Sequence, residues 1–284
     1  MFQYALAYVL AQRNDTTVAF DTRFLSEMNR KRPRGYVPRT PELDTLGIGL
    51  KPPTRQDLRR TLMVSDRHAV REPLARVLDR LGWCTVVERV RSFEPRVLER
   101  RDATLYLDGY WQSERYFAGR HDEIRRLFTT REITSRESPL PIMPPEVVGH
   151  AACVNVRRGD FIGSQEHDCL PSDYTAHAFN MLQERVGRPL RPYVFSDDFR
   201  WCERHVGLPN EPVFIPFFPE ATSSASYLAC MSQFRHFVIP NSTFGWWAAW
   251  LAAPEDKVVV APRRWSGTLP ADEVDIVPPD WLTV

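Results

Sequence analysis

Three short segments carry residue types suited to a charged, polyhydroxylated ligand. In Val154-Asn155-Val156-Arg157-Arg158-Gly159-Asp160 an apolar run ends in two arginines, a glycine and an aspartate. A guanidinium fork binds phosphate through paired N–H groups, and glycine lets the chain turn close to a ligand. Asp160 is placed to orient one arginine and leave the other for that ligand, although Arg-Arg-Gly-Asp can equally be a plain surface turn. In Val194-Phe195-Ser196-Asp197-Asp198 the two acids suit ribose hydroxyls or guanine N–H donors. They can also cap a helix or bind a metal, but adjacent acids point apart and do not chelate by themselves. In Pro240-Asn241-Ser242-Thr243-Phe244-Gly245-Trp246-Trp247, Ser242 or Thr243 can cap a helix whose free N–H groups and partial positive charge attract a diphosphate. A plain cap on a buried Trp-rich helix is compatible with that.

Together these segments describe a nucleoside-diphosphate site without the common fingerprints. The chain has no G-x-G-x-x-G and no G-x-x-x-x-G-K-[ST], which argues against a dehydrogenase and a P-loop NTPase.

The elements that must position these residues alternate clearly in the second half. Strands are expected at 151–156, 193–196, 213–215, 236–239 and 257–260. Helices are expected at 172–186 with Ser172 as N-cap, 198–206 closed by Gly207, 224–230 and 243–251. Such alternation implies a parallel sheet covered on both faces, with ligands at the carboxyl ends of the strands. In the first half, Phe2, Leu6, Val9 and Leu10 recur at helical spacing over 2–13, followed by a short strand at 17–20. Residues 29–56 read as a Pro- and Arg-rich loop. A helix over 68–81 turns Val70, Leu74, Val77, Leu78 and Leu81 inward and ends at Gly82. A strand at 104–108 leads into the aromatic cluster Tyr106, Tyr110, Trp111, Tyr116 and Phe117, which can build core or stack on sugar rings. A helix follows at 120–128.

Pro139, Pro141, Pro144 and Pro145 break the chain near its middle, giving expected domains at 1–145 and 146–284. The 284 residues suit two such α/β domains. The formal charge of +1 hides an asymmetry: 26 Lys and Arg against 19 Asp and Glu in 1–145, but 11 against 17 in 146–284. An anionic ligand of the second half must be met by a few well-placed cations. The near-zero total also argues against a nucleic-acid coat. Five scattered cysteines with no C-x-x-C pair form neither a disulfide framework nor a zinc site. The longest apolar runs are far short of the roughly 20 residues of a spanning helix, and no signal peptide is evident. A cytoplasmic protein is the expectation, with the basic run Arg30-Lys31-Arg32-Pro33-Arg34 available to touch an anionic membrane surface.

The three segments resemble the motifs of the α-1,2-fucosyltransferase family, glycosyltransferase family 11. So do Phe2-Gln3-Tyr4-Ala5, the run from Tyr106-Leu107-Asp108-Gly109-Tyr110-Trp111 to Gln112-Ser113, and Ala261-Pro262-Arg263-Arg264-Trp265. The resemblance implies a GT-B-like α/β fold of two facing Rossmann-like domains with parallel sheets, the first on the acceptor side and the second binding the GDP-sugar. It implies inverting, metal-independent transfer of L-fucose from GDP-β-L-fucose to a galactoside hydroxyl, forming an α-1,2 linkage in a cell-surface glycan. No cofactor, nucleic acid or protein partner is expected beyond the donor and a glycan acceptor, which a membrane lipid can carry. By carry-over, Arg157 and Arg158 hold the diphosphate, with Asp160 as the third catalytic candidate. Asn155, Ser196, Asp197, Asp198, Ser242, Thr243, Phe244, Gln3 and Asp108 are candidate substrate-binding residues. Asp160, Glu166 and Asp108 are the candidates for general base. Two departures stand out. Asn155 occupies a position where the family has His, and Asn cannot carry a proton. The family's Gly-rich loop falls just before Met-Phe-Gln-Tyr-Ala, whose methionine is Met1 here, so an upstream start or a truncated chain is expected. The alternatives are a non-catalytic GDP-sugar-binding relative and a transferase of another GDP-sugar.

Overall fold

The computed structural model describes residues 1–33, 38, 40–128, 143–217, 223–253 and 255–284. The described chain runs α1 (Phe2–Arg13), α2 (Arg23–Lys31), α3 (Arg55–Arg60), α4 (His68–Arg80), β1 (Thr85–Val87), β2 (Tyr106–Asp108), α5 (His121–Phe128), α6 (Pro145–His150) and β3 (Ala151–Val156). It continues through α7 (Tyr174–Val186), β4 (Arg191–Ser196), α8 (Phe199–His205), β5 (Val213–Pro216), α9 (Ser224–Met231), β6 (His236–Val238), α10 (Thr243–Leu251), β7 (Val259–Ala261) and β8 (Leu282–Thr283). It divides into two compact units, Met1–Ile124 and Arg125–Val284. The expected boundary at 145/146 lies further along the chain, and Pro139 and Pro141 fall outside the described residues. Each unit is α/β with a parallel sheet.

In the first unit β1 and β2 form a two-stranded parallel sheet with Val87 beside Asp108. α1 buries Phe2, Ala5, Leu6, Leu10 and Ala11, and the Phe2 ring lies 6.4 Å from that of Phe117. Residues 17–20 do not form the expected strand: no strand pairs with them, and Phe20 N–H donates instead to the Lys51 carbonyl. The expected loop over 29–56 begins inside α2, which ends at Lys31, and closes on the first residues of α3. Lys31 of the basic run pairs with Glu27, and Arg34 lies outside the described residues.

α4 forms where its periodicity places it and turns Leu74 and Leu78 inward as expected, but the rest of its buried face differs. Val70, Val77 and Leu81 are exposed, whereas Arg71, Ala75, Leu78 and Asp79 are buried. Hydrophobic periodicity cannot register a face whose charges find partners. Asp79 Oδ2 accepts from Arg89 Nη2 at 2.9 Å and Oδ1 from Arg96 Nη1 at 2.6 Å. Arg96 also reaches Glu94 and the Val87 carbonyl. Burial raises the Asp79 carboxyl, but the hydrogen bonds from Arg96 and Arg89 overcome it and leave the group below its ordinary range.

In the second unit six parallel strands stand in the order β5-β4-β3-β6-β7-β8. The chain moves outward from β3 to β5, returns beside β3 with β6, and moves outward again. That doubly wound order reverses between β3 and β6, and the crevice outside such a switch point is where ligands of this architecture bind. The expected strands and helices of this half all form, with small shifts at their ends. The N-cap of α7 is Asp173 rather than the expected Ser172, and it makes no side-chain cap. β8 carries too few residues to show a pattern. The core joins Ala152, Val154, Phe179, Leu182, Val194 and Val260. α10 buries Gly245 through Trp250, with Trp246 Nε1 donating to the Ile276 carbonyl. No helix among the described residues is long and apolar enough to cross a membrane.

His236 opens β6 in this core, 3% exposed, with Val258 N–H donating to its Nδ1. Burial, then Arg235, push its pKa down to about 4. The neutral imidazole is therefore the folded form, and acid favours the unfolded chain, which takes the proton. Urea midpoints should fall as pH drops from 6.5 towards 4, and His236→Asn should flatten that limb; an unchanged pH profile in the variant would refute the assignment. Asp79→Ala removes the carboxylate that joins two part-exposed guanidiniums, of which Arg96 keeps Glu94, and should cost about 1–3 kcal/mol at pH 7. Because the Asp79 pKa is depressed, this contribution exists above pH ~4 and is lost as pH falls through the folded value. Wild-type and variant urea midpoints that coincide at pH 7 would remove this role.

Candidate functional site

β3 is buried throughout and delivers its carboxyl end at the switch point. The next residues form a short turn over Gly159–Phe161. Arg157 Nη2 donates to Asp160 Oδ1 at 2.6 Å, and its Nη1 lies 3.0 Å from Asp197 Oδ2. Arg158 N–H donates to Asp197 Oδ1 at 2.9 Å. The Arg158 guanidinium lies over the Trp201 ring, 3.5 Å from its centroid, with only Nε engaged, 3.4 Å from Asp198 Oδ2. Both Arg158 Nη groups are without a partner among the described residues. A Cβ on Gly159 would stand 2.5 Å from Asp197 Oδ2, so glycine is required by close approach of a carboxylate.

β4 aligns in register, with Ser196 beside Val156. Ser196 is buried, and its Oγ accepts the Asp198 N–H. Asp198 caps α8 by accepting from Trp201 N–H. Asp197 uses both oxygens on the arginine turn. The two acids thus hold the cations.

Across the switch point, Ser242 caps α10 by accepting from Phe244 N–H. Thr243 is half-buried, its hydroxyl without a partner among the described residues. Phe244 packs against Tyr227. Asn155 lies between the two sides: its Nδ2 donates to the Phe195 carbonyl, and its buried Oδ1 has no hydrogen-bond partner. A Cβ on Gly245 would stand 2.6 Å from that oxygen, which fixes how closely α10 approaches β3.

Asn241, which stands in the third motif but carries no role in the sequence, is buried and donates to the His167 and Trp265 carbonyls and to Cys169 Sγ. It ties the loop after β3 to the segment after β7. In that segment Gly267 N–H donates to the Glu166 carbonyl, and Thr268 Oγ1 donates to the Glu166 carboxylate. The base candidate Glu166 is thereby part of a loop clamp. Beside it opens a cavity of about 850 Å³ lined by Cys169, Tyr174, His177, Arg263, Arg264 and Leu269 among others. Arg157, Arg158, Asp197 and Asp198 do not line it; Asn241 connects it to the switch point.

Gln3 and Asp108 belong to the first unit. Gln3 Nε2 donates to the Gly109 carbonyl at 2.7 Å. Asp108 ends β2, half-buried, and burial raises its carboxyl above the ordinary range. The structure therefore gathers Asn155, Arg157, Arg158, Asp160, Ser196, Asp197, Asp198, Ser242, Thr243 and Phe244 around one switch point. Trp201 escaped sequence reading because nothing local marks an aromatic as the platform for an arginine forty-three positions earlier.

Relatives align over most or all of the chain. An α-1,2-colitosyltransferase of Escherichia coli is 24% identical over 100% of this chain and 94% of its own. The O-antigen biosynthesis glycosyltransferase WbnK of Escherichia coli is 29% identical over 93% of this chain and 90% of its own. The human galactoside α-(1,2)-fucosyltransferase 1 is 29% identical over 61% of this chain and 48% of its own. The model of glycosyl transferase family 11 matches residues 96–284, spanning β2, the arginine turn, the acid pair and α10. The protein is a glycosyltransferase and belongs to glycosyl transferase family 11.

Proposed function

We propose that the protein transfers L-fucose from GDP-β-L-fucose to a galactoside hydroxyl, forming an α-1,2 linkage in a cell-surface glycan. The observation that carries this reading is the Arg157-Arg158 turn facing the N-terminus of α10 across the switch point. Transfer breaks the bond between the sugar C1 and the β-phosphate oxygen, whose electron pair stays on phosphate. The acceptor oxygen bonds to C1 from the opposite face, inverting the linkage, and its proton leaves to a base. Charge thus grows on the diphosphate, where preorganised donors lower the barrier most. The free Nη groups of Arg158, its fork held by Trp201 and Asp198, are those donors, and the amides opening α10 add to them. Asp160 and Asp197 hold Arg157 in the same turn. The adjoining cavity has a volume suited to a sugar or nucleoside. Transfer needs no metal or cofactor in this scheme.

The name of the colitosyltransferase relative supports a second reading, in which the donor carries colitose. A panel of GDP-fucose and GDP-colitose with β-galactoside acceptors separates the two by relative kcat/KM. Arg158→Ala should lower kcat/KM for the donor by about 30- to 1,000-fold, or ~2–4 kcal/mol. Arg158→Lys should recover only part, because an ammonium cannot reproduce the stacked fork. Wild-type kcat/KM in Arg158→Ala would place the diphosphate elsewhere. Transfer should survive EDTA; activity lost to EDTA and restored by Mg²⁺ would overturn the metal-independent scheme.

A further inference from the structure

The carboxyl end of β2, in the first unit, has a built turn that the donor site does not use. Glu88 follows β1, and its carboxylate accepts from two successive amides, Tyr110 N–H and Trp111 N–H, both at 2.8 Å. A Cβ on Gly109 would collide with Glu88 Cβ. The Gly109 carbonyl accepts from Gln3 Nε2, at the start of α1. Trp111 is fully buried at φ +56°, a left-handed conformation that bulky residues rarely adopt. Such a backbone persists only where its surroundings over-determine it, and these outliers gather at ligand sites.

Three tethers and a strained residue hold Tyr110 outward, 55% exposed. The Arg91 guanidinium lies over its ring, 4.5 Å from the centroid. The N–H groups of Arg91 have no hydrogen-bond partner among the described residues. Asp108, two positions before Tyr110, has its Cα within about 7.6 Å of that of Tyr110 by chain length alone. Its half-buried carboxylate accepts no hydrogen bond from a described residue, while His68, Glu72, Arg76 and Arg71 of α4 act on it electrostatically. Desolvating a carboxylate without giving it a donor is costly, and a ligand hydroxyl supplies the donor. A galactoside offers both halves of the match: hydroxyls for Asp108 and Arg91, and a contiguous C–H face for an aromatic ring.

We propose that the carboxyl end of β2 is the acceptor-sugar subsite, with Tyr110 as the stacking face and Asp108 as the acceptor of sugar hydroxyl protons in hydrogen bonds. This rests on the reading of the protein as a transferase to galactosides.

The test is binding of wild type, Tyr110→Ala, Tyr110→Phe and Asp108→Asn to an array of galactose-terminated glycans in the presence of GDP. GDP affinity is measured on the same samples by calorimetry, and folding by thermal melting. Tyr110→Ala and Asp108→Asn should bind glycan at least tenfold more weakly, while Tyr110→Phe binds as wild type and GDP affinity stays unchanged throughout. Wild-type glycan binding in both Tyr110→Ala and Asp108→Asn overturns the subsite, as does the absence of glycan binding by wild type. A loss of GDP affinity parallel to the loss of glycan binding also overturns it, because that is the signature of a general structural role. Consumption of GDP-fucose by wild type is read separately, so failure of the fucosyl-transfer reading shows there and not in the array.

Discussion

The carboxylate of Asp197 is the contact on which the arginine turn after β3 depends. One oxygen accepts the Arg158 amide and the other meets the Arg157 guanidinium. Parallel register places Ser196 beside Val156, so the residues just beyond each strand meet without further chain. Two guanidiniums adjacent in sequence repel, and a carboxylate between strand ends offsets that repulsion where both must stay close. The remaining features follow. Gly159 leaves room for the carboxylate, Asp160 takes the second edge of Arg157, and Asp198 and Trp201 hold Arg158 flat. A free carboxylate reading a nucleotide would hold neither arginine.

Reversal of strand order sets this turn beside the crevice between β3 and β6. Because β6 returns beside β3, the start of α10 opens opposite the arginines rather than at a distant edge. The same helix is buried from Gly245 through Trp250, with Trp246 stacked on Trp250 and tied to the Ile276 carbonyl and Trp247 edge-on to Trp250. Core burial and ligand binding are therefore not rival explanations for α10. The buried face anchors the helix, and anchoring is what allows Ser242 and Thr243 to sit at a fixed distance from β3. Gly245 sets that distance against Asn155.

The first unit shows where local pattern is a poor guide. α4 was legible as a helix because apolar residues recur at its spacing, yet its inward face includes Arg71 and Asp79. Ion pairs with Arg89 and Arg96, distant in sequence, decided that orientation. Residues 17–20 have strand-like composition but gain no paired strand. At Gly109–Trp111 the sequence shows a glycine and aromatics. Only the Glu88 carboxylate, brought alongside by the β1–β2 pairing, explains why Trp111 adopts a positive φ and Tyr110 faces outward.

The sequence by itself determined the alternation of strands and helices in the second half, the three chemistry-bearing strand ends and the family. Those signals are local: periodic burial, glycine and capping residues, and contiguous motifs. Tertiary structure alone decided strand order, and with it the meeting of Arg157, Arg158, Asp197 and the start of α10. It also decided that Asp197 and Asp198 hold arginines, that Asn241 clamps a loop, and that Trp201 supports Arg158. The physical reason is the same in each case. A carboxylate, an amide or an aromatic ring carries no mark of which partner will satisfy it. That choice is made when parallel pairing and core burial bring distant segments within hydrogen-bond reach.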